Sequence, residues 1–305
     1  YARASYTGAE IAWAVSPAFR ELIDTNPYID QTVVLDCLTE WIALLAHDRF
    51  DLVIDLHVNY RICQHCRIPL IKEHGNGFVT AHDWLNYGAL LEAFSIGAGL
   101  PRLSAQPALY LREEHAHAVD ALGLPDSFVV VHRTSNIPEK DWTGEGWQEL
   151  ASFVQDRIGW HAVEVGAGDD AELPPPLPGT ISLVNRLPLL QTAEVIRRAQ
   201  MFVGIDSGPA HLANALRVPG VVLLGQFNTF RTYSPFTGFY ASKSPLVKII
   251  RHLTGAASSI PAGEVTEALC YIKDMQSTLP SAPARIGTPL LPDWQPVCSA
   301  DGKRP

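Results

Sequence analysis

The sequence predicts an α/β protein made of two doubly wound domains, each with a parallel sheet covered by helices on both faces. Short apolar runs without polar alternation recur between amphipathic stretches, which is typical of parallel strands buried on both faces. The chain also has 305 residues, more than one ordinary α/β core needs. We therefore predict an N-terminal domain over residues 1–118, a C-terminal domain over residues 119–276 and a proline-rich tail over residues 277–305.

The first half alternates between strand and helix patterns. Residues 1–7 read as the end of a helix, so we expect an earlier strand, a loop and most of that helix to be missing. Residues 61–80 lack periodicity and are expected to form an irregular loop around the turn sequence Gly-Asn-Gly. The predicted strands are residues 10–15, 31–35 and 51–57, and the predicted helices are residues 17–23, 39–46 and 84–98.

The second half follows a hinge predicted near residues 113–125 and alternates more regularly. This alternation implies right-handed crossovers and one doubly wound sheet. The tail is rich in Pro and Ser, so we expect either disorder or an extended segment packed on the other domain. The predicted strands are residues 128–132, 162–166, 181–184, 202–205, 221–225 and 247–251, and the predicted helices are residues 146–157, 190–199, 208–217 and 262–272.

Charge and cysteine content restrict the function classes. The net charge of −9 argues against a nucleic-acid partner, because phosphate-backbone binding needs a clustered basic face. No apolar run approaches the ~18 residues of a membrane span, and no signal peptide is evident, so we expect a cytoplasmic protein with at most peripheral membrane contact. Cys63 and Cys66 have the spacing of zinc ligands, but no second pair follows. We favour reduced thiols and expect no metal, although the pair leaves the question open.

The most informative segment follows the predicted strand 202–205. Ser207 can cap the next helix, and Gly208 lets an anion approach the backbone amides and the positive end of the helix dipole. His211 lies one turn later on the same face. The segment therefore indicates an anion site at this helix start, and the alternative is a capped helix with a buried histidine.

Two further loops each follow a strand of the same predicted sheet. Thr134, Ser135 and Lys140 follow the first strand, so two hydroxyls and one ammonium reach the edge where ligands bind in such folds. Lys140 and the helix start after Ser207 are expected to converge on one diphosphate. The loop over residues 166–172 carries three carboxylates, one of which is expected to bind ribose hydroxyls.

These segments, in this order, resemble glycosyltransferase family 9, the ADP-heptose:lipopolysaccharide heptosyltransferases. The strongest match is VGIDSGPAHLANALRVPGVVLLG over residues 203–225, and residues 134–142, 9–30 and 48–57 add weaker matches. The resemblance implies a GT-B fold, with two Rossmann-like domains facing a cleft. It also implies an inverting, metal-independent transfer without a cofactor. The donor would be a nucleotide diphosphate sugar, ADP-heptose first, and the acceptor a glycan, a lipid-linked saccharide or a protein.

The resemblance also assigns residues, with two departures from the family pattern. It implies that the nucleotide-sugar donor site is lined by Thr134, Ser135, Lys140, Asp170, Asp206, Ser207, Gly208 and His211. The family's first strand and glycine-rich loop, with its general base, have no counterpart here, so the base is expected outside this chain. His57, with Asp55 on the same face of the predicted strand, is a weak substitute. Arg133 stands where members often carry Pro, and either adds charge near the phosphates or faces solvent.

Three competing functions differ in class from a transferase. A non-catalytic nucleotide-binding or scaffolding domain is the main alternative, and the absent first loop favours it. A sugar-nucleotide epimerase of the same fold uses a similar Asp-Ser-Gly block, but acidic residues normally follow that block, whereas here the sequence continues Pro-Ala-His-Leu-Ala. A dinucleotide oxidoreductase is disfavoured because no strand precedes G-x-G-x-x-G.

Overall fold

The computed structural model describes residues 1–47, 49–169, 173–227 and 233–278. Its centre is a six-stranded parallel sheet, and a smaller two-stranded parallel sheet lies in the N-terminal half. Of the predicted tail, residues 279–305 lie outside the described residues, as does Asp170, whereas residues 277–278 end the last helix. The strands are β1 Ala12–Val15, β2 Gln31–Val34, β3 Phe128–His132, β4 His161–Glu164, β5 Ile181–Ser182, β6 Met201–Ile205, β7 Gly220–Leu224 and β8 Val247–Arg251.

Helices occupy most of the connections between the strands. No described helix combines the length and the apolar character that crossing a bilayer requires. The α-helices are α1 Ala2–Ser5, α2 Arg20–Asp24, α3 Leu38–Leu45, α4 Leu90–Gly97, α5 Glu113–Asp120, α6 Gly144–Phe153, α7 Leu189–Arg198, α8 Gly208–Ala215 and α9 Ala262–Thr278.

The large sheet has the strand order β5-β4-β3-β6-β7-β8, and every neighbouring pair is parallel. All residues of β3, β6 and β7 are buried, as their continuous apolar sequences predict. One face packs against α5, α7 and α8, and the other against α6 and α9. The order reverses between β3 and β6, so the connections that leave these two strands run in opposite directions.

The N-terminal half contacts the large sheet through α2. Leu22 packs against the apolar core on the α7 side of the sheet. The Glu21 carboxylate accepts a 2.7 Å hydrogen bond from the backbone amide of Leu189, the first residue of α7. Residues before β3 also connect the two halves, because Gln106 donates to the carbonyl of Asn214 at 2.7 Å. These contacts hold the first half beside the end of α8.

Three sequence predictions are wrong. Residues 51–57 form no strand. The carbonyls of Asp55 and His57 accept hydrogen bonds from the Lys72 ammonium, so they are not available to a neighbouring strand. The predicted helix 84–98 is split at Gly88, whose φ of +112° belongs to no helix, into a 3₁₀ turn at Trp84–Tyr87 and α4. The stretch predicted as a hinge near residues 113–125 contains a helix, α5.

Arg133 takes neither of its two expected positions. Its guanidinium is buried and forms an ion pair with the buried carboxylate of Glu164 on β4. It also donates a 2.8 Å hydrogen bond to the carbonyl of Pro175. The side chain therefore fixes the loop around residue 175 to the sheet instead of facing a phosphate or solvent.

Replacing Arg133 with Met should lower the free energy of unfolding by about 3–5 kcal/mol, because the Glu164 carboxylate would be left buried without its partner. Urea denaturation followed by circular dichroism measures this change. The control is Arg20→Met in the exposed pair with Asp24, which should cost less than about 1 kcal/mol. Equal losses in the two variants would contradict this account of Arg133.

Candidate functional site

An ion pair joins the two loops at the point where the strand order reverses. Lys140 follows β3, Asp206 follows β6, and the Lys140 Nζ lies 2.7 Å from the Asp206 Oδ2. The Asp206 side chain is only 5% exposed and that of Lys140 is 17% exposed. The structure therefore brings together two of the predicted donor-site residues, at the edge where open α/β sheets bind ligands.

Asp206 has two more polar neighbours. The Tyr233 hydroxyl donates a hydrogen bond to the Asp206 carboxylate, and burial raises the pKa of this phenol far above its usual range. The His211 Nε2 lies 3.8 Å from the Asp206 Oδ1. Burial lowers the pKa of His211, Asp206 opposes this shift, and Lys140 adds to it. His211 is therefore a neutral imidazole at pH 7.

The N-terminal end of α8 is open. Gly208 is exposed, and a Cβ built on it would meet no atom within 4 Å. Its amide is the first of the helix and has no acceptor within α8, and Pro209 has no N–H. Ser207 was expected to cap this end, but its hydroxyl donates to the carbonyl of Ile205 at 3.2 Å and caps nothing. An anion can therefore approach the free end of the helix.

The two hydroxyl residues after β3 differ in availability. The Ser135 hydroxyl donates to the carbonyl of Ile137 at 2.8 Å and accepts from the Ile137 amide at 3.1 Å. Its own amide donates to the Asp141 carboxylate at 2.9 Å. Ser135 therefore shapes the loop that presents Lys140, and its hydroxyl is already engaged. Thr134 is half-buried at the start of the same loop.

Aromatic side chains and a second cation surround the ion pair. The Lys140 Nζ lies 4.4 Å from the centre of the Phe227 ring and 5.6 Å from that of Tyr233. Arg251, the last residue of β8, is half-buried and lies near Tyr233. Among the residues that the structure describes, no carboxylate lies within 4.0 Å of the Arg251 guanidinium. Arg251 is therefore an available positive charge at the same edge.

A pocket adjoins these residues. Its volume is about 240 Å³, and its lining comes from both halves of the chain. Glu92 of α4 and Phe236 are part of the lining, and the Phe236 ring lies 4.9 Å from that of His211. Phe236 thus connects the lining of this pocket to His211.

His57 lies elsewhere. Its Nδ1 is 2.8 Å from the carboxylate of buried Asp55, which also accepts a 2.9 Å hydrogen bond from the His57 amide. The two side chains therefore meet through a local bend and not on one face of the predicted strand. The Lys72 ammonium connects the His57 carbonyl to that of Gly97, the last residue of α4, at 2.7 Å each. The pocket touches the other end of α4, about 10 Å away along the helix axis. No contact joins His57 to Lys140, Asp206 or His211 in the described part of the chain.

A sequence model of a protein family matches the part of the chain that carries the loops after β3 and β6. The model for glycosyltransferase family 9 (heptosyltransferase) covers residues 82–244, more than half of the chain. The chain belongs to glycosyltransferase family 9. The matched range contains Lys140, Asp206, Gly208 and His211, so the family signal includes the site.

Individual relatives have low sequence identity to this family 9 chain. Lipopolysaccharide heptosyltransferase 3 of Escherichia coli K12 is 26% identical over 121 residues, or 35% of this chain and 33% of that protein. The match thus spans about a third of that curated relative. A family 9 glycosyltransferase from Veillonella parvula has a TM-score of 0.62 at 18% identity, covering 89% of this chain and 90% of the other. E. coli ADP-heptose lps heptosyltransferase II also has a TM-score of 0.62, at 20% identity and with coverage of 90% and 92%. The chain thus has the GT-B fold of these transferases.

The sequence missed three residues of the family 9 site. Phe227 and Tyr233 follow β7, and Arg251 is the last residue of β8. Only their position in the sequence could have pointed to Phe227 and Tyr233, because both follow the carboxyl end of a strand in the same parallel sheet. Arg251 was visible in the sequence as one of a small group of basic residues, with Arg231, Lys243 and Lys248, whereas the other basic residues are scattered.

Lys140→Met should raise the pKa of His211 and Asp206→Asn should lower it, since the first removes a like charge and the second an opposite one. The His211 ring resonances recorded by NMR against pH measure both shifts. Lys273→Met provides the control, because Lys273 lies over Trp160 and should leave the titration unchanged. Shifts in the same direction in both site variants would contradict the geometry described for Asp206.

Proposed function

We propose that this family 9 protein is an inverting glycosyltransferase that moves a sugar, heptose first, from a nucleotide diphosphate donor to a saccharide, lipid-linked or protein acceptor. ADP-heptose is the donor that we expect, since it is named for a transferase of the same fold. The observation that carries the proposal is the Lys140–Asp206 pair beside the open Gly208 amide. Both features lie where the order of the parallel strands reverses.

The chemistry of the leaving group explains these residues. When the acceptor oxygen attacks the anomeric carbon, the acceptor's hydroxyl proton passes to a base. The bond to the diphosphate breaks, and negative charge develops on the leaving diphosphate oxygen. Preorganised hydrogen-bond donors and positive charges around such an oxygen are usually the largest single contribution to lowering an enzyme's barrier. In our proposal, the Gly208 amide, the Lys140 ammonium and the Arg251 guanidinium are these donors, and Thr134 lies beside the phosphates.

Asp206 and His211 have supporting roles in this proposal. An ammonium has three N–H donors, so Lys140 keeps its bond to Asp206 and still donates to a phosphate oxygen. Asp206 and the rings of Phe227 and Tyr233 hold the ammonium in one place before the nucleotide sugar binds. His211, being neutral, contributes a hydrogen bond rather than a charge.

Donor binding without a divalent cation is part of the same proposal. Asp206 is the carboxylate at the site, and it is neutralised by Lys140. Among the described residues, Asp206 belongs to no group of three His, Cys, Asp or Glu side chains close enough to share a cation. Transfer measured without added magnesium or manganese tests this part. The cytoplasmic location, the domain division near residue 118 and the roles of Asp170 and His57 stay predictions.

The main alternative is a domain that binds the nucleotide without transferring sugar. It shares the diphosphate site and differs only in chemistry, so a binding measurement and a transfer measurement together separate the two. Mass spectrometry of products from ADP-heptose and a heptose-accepting saccharide would show the new glycosidic bond in a transferase. Binding of ADP without any product from several acceptors would favour the alternative.

Gly208→Ala should weaken ADP binding about tenfold, or ~1.4 kcal/mol, because its methyl group enters the space that the phosphate needs. Isothermal titration calorimetry measures the affinity. Gly263→Ala is a matched control, since Gly263 also lies in the first turn of a helix and its Cβ would also meet no atom within 4 Å. Neither change should alter the melting temperature. Equal ADP affinity in both variants would contradict the placement of the phosphate.

Lys140→Ala should lower kcat/KM for transfer by about 10²–10³-fold, the usual loss when one donor to a developing oxyanion is removed. Arg251→Met should cause a smaller loss, as this guanidinium is farther from the helix end in our assignment. Rates of product formation measure both effects, with Lys273→Ala as the control. Unchanged transfer and unchanged ADP binding in Lys140→Ala would show that the assignment is wrong.

A further inference from the structure

Three cysteines from two separate parts of the N-terminal half lie together. Cys37 immediately precedes α3, whereas Cys63 and Cys66 belong to the irregular loop that follows residue 57. The Cys37 and Cys63 sulfurs are 3.5 Å apart, and the three sulfurs lie within 4.8 Å of one another. A Cys-x-x-Cys pair without a partner in the sequence thus acquires a third thiol in the fold.

The separations suit a tetrahedral cation. Zinc–sulfur bonds of 2.3 Å at tetrahedral angles place the sulfurs about 3.8 Å apart. The observed sulfurs lie close to that separation without a cation between them. A disulfide would instead bring two sulfurs to about 2.05 Å and leave the third thiol unused.

The backbone of the loop directs Cys63 and Cys66 to one side. The Cys63 amide donates to the Ile68 carbonyl at 3.0 Å, and the Arg67 amide donates to the Cys63 carbonyl at 3.0 Å. An antiparallel bridge between Ile62 and Pro69 closes this narrow turn. Arg67 has a φ of +60°, a conformation that is uncommon for a residue other than glycine. The turn therefore holds both thiols in a fixed position facing Cys37.

Donors to sulfur surround the cluster. The Cys63 sulfur accepts hydrogen bonds from the amides of Leu38, Cys66 and His65, and Thr39 donates its hydroxyl to the Cys66 sulfur at 3.2 Å. Local hydrogen bonds therefore hold the sulfurs of Cys63 and Cys66 in place beside that of Cys37.

We propose that Cys37, Cys63 and Cys66 bind one thiophilic cation, zinc or iron(II), whose fourth ligand comes from outside these three residues. Binding displaces the protons that remain on the thiols into solvent. The cation fastens the loop that carries Cys63 to the start of α3. The local apolar cluster needs such a fastening because its only buried members are Leu38, Cys63 and Leu70, too few to hold a loop by packing alone.

Elemental analysis of the full chain, purified anaerobically without chelators, tests the proposal independently of sugar transfer. We expect about one zinc or iron per chain, with metal lost in Cys63→Ser and retained in Cys270→Ser. Cys270 is the matched control, as it is also free but lies on α9 outside the cluster. A strong chelator should lower the melting temperature of the wild type and of Cys270→Ser but leave Cys63→Ser unchanged.

Two results would overturn the proposal. One is a protein that contains no metal and fails to take up one equivalent of Zn²⁺ when titrated anaerobically. The other is an equal metal content in Cys63→Ser and Cys270→Ser. An intact mass lower by two hydrogens, without metal, would identify a disulfide in place of the site.

Discussion

The reversal of strand order between β3 and β6 is the constraint on which the site depends. All six strands run in parallel, so their following loops emerge at one edge, and the reversal separates the loops after β3 and β6 into a crevice. Lys140 and Asp206 meet across this crevice at 2.7 Å. The open start of α8 follows Asp206 by two residues, so the Lys140 ammonium and the Gly208 amide lie at the same edge of the sheet. Only the topology brings these groups together, because 66 residues of sequence separate Lys140 from Asp206.

The large sheet was predictable because burial on both faces demands continuous apolar sequence, as in β3 and β7. The segment over residues 51–57 has the same sequence signature and yet forms no strand. A strand needs partners for its carbonyls, and the Lys72 ammonium bonds to the carbonyls of Asp55, His57 and Gly97 instead. Apolar pattern reports burial, but it does not report which group takes the backbone hydrogen bonds, so long-range side-chain contacts of this kind cannot be predicted from sequence.

The site was predictable to a similar extent. Asp206, Gly208 and Lys140 follow strands within recognisable segments, so their positions could be inferred. Ser207 shows the limit, because a hydroxyl at the right position bonds to the preceding carbonyl rather than capping the helix. Tyr233 and Cys37 lie in segments without periodicity or motif. Their contacts depend on how the chain folds back on itself, which no local pattern encodes.

The most direct test of the central claim is a crystal structure of the protein with bound ADP. The account predicts that a β-phosphate oxygen lies about 3 Å from the Gly208 amide nitrogen, with the Lys140 Nζ within hydrogen-bonding distance of the same phosphate and Asp206 still bound to Lys140. A diphosphate located away from the start of α8, or one that does not contact Lys140, would contradict the account.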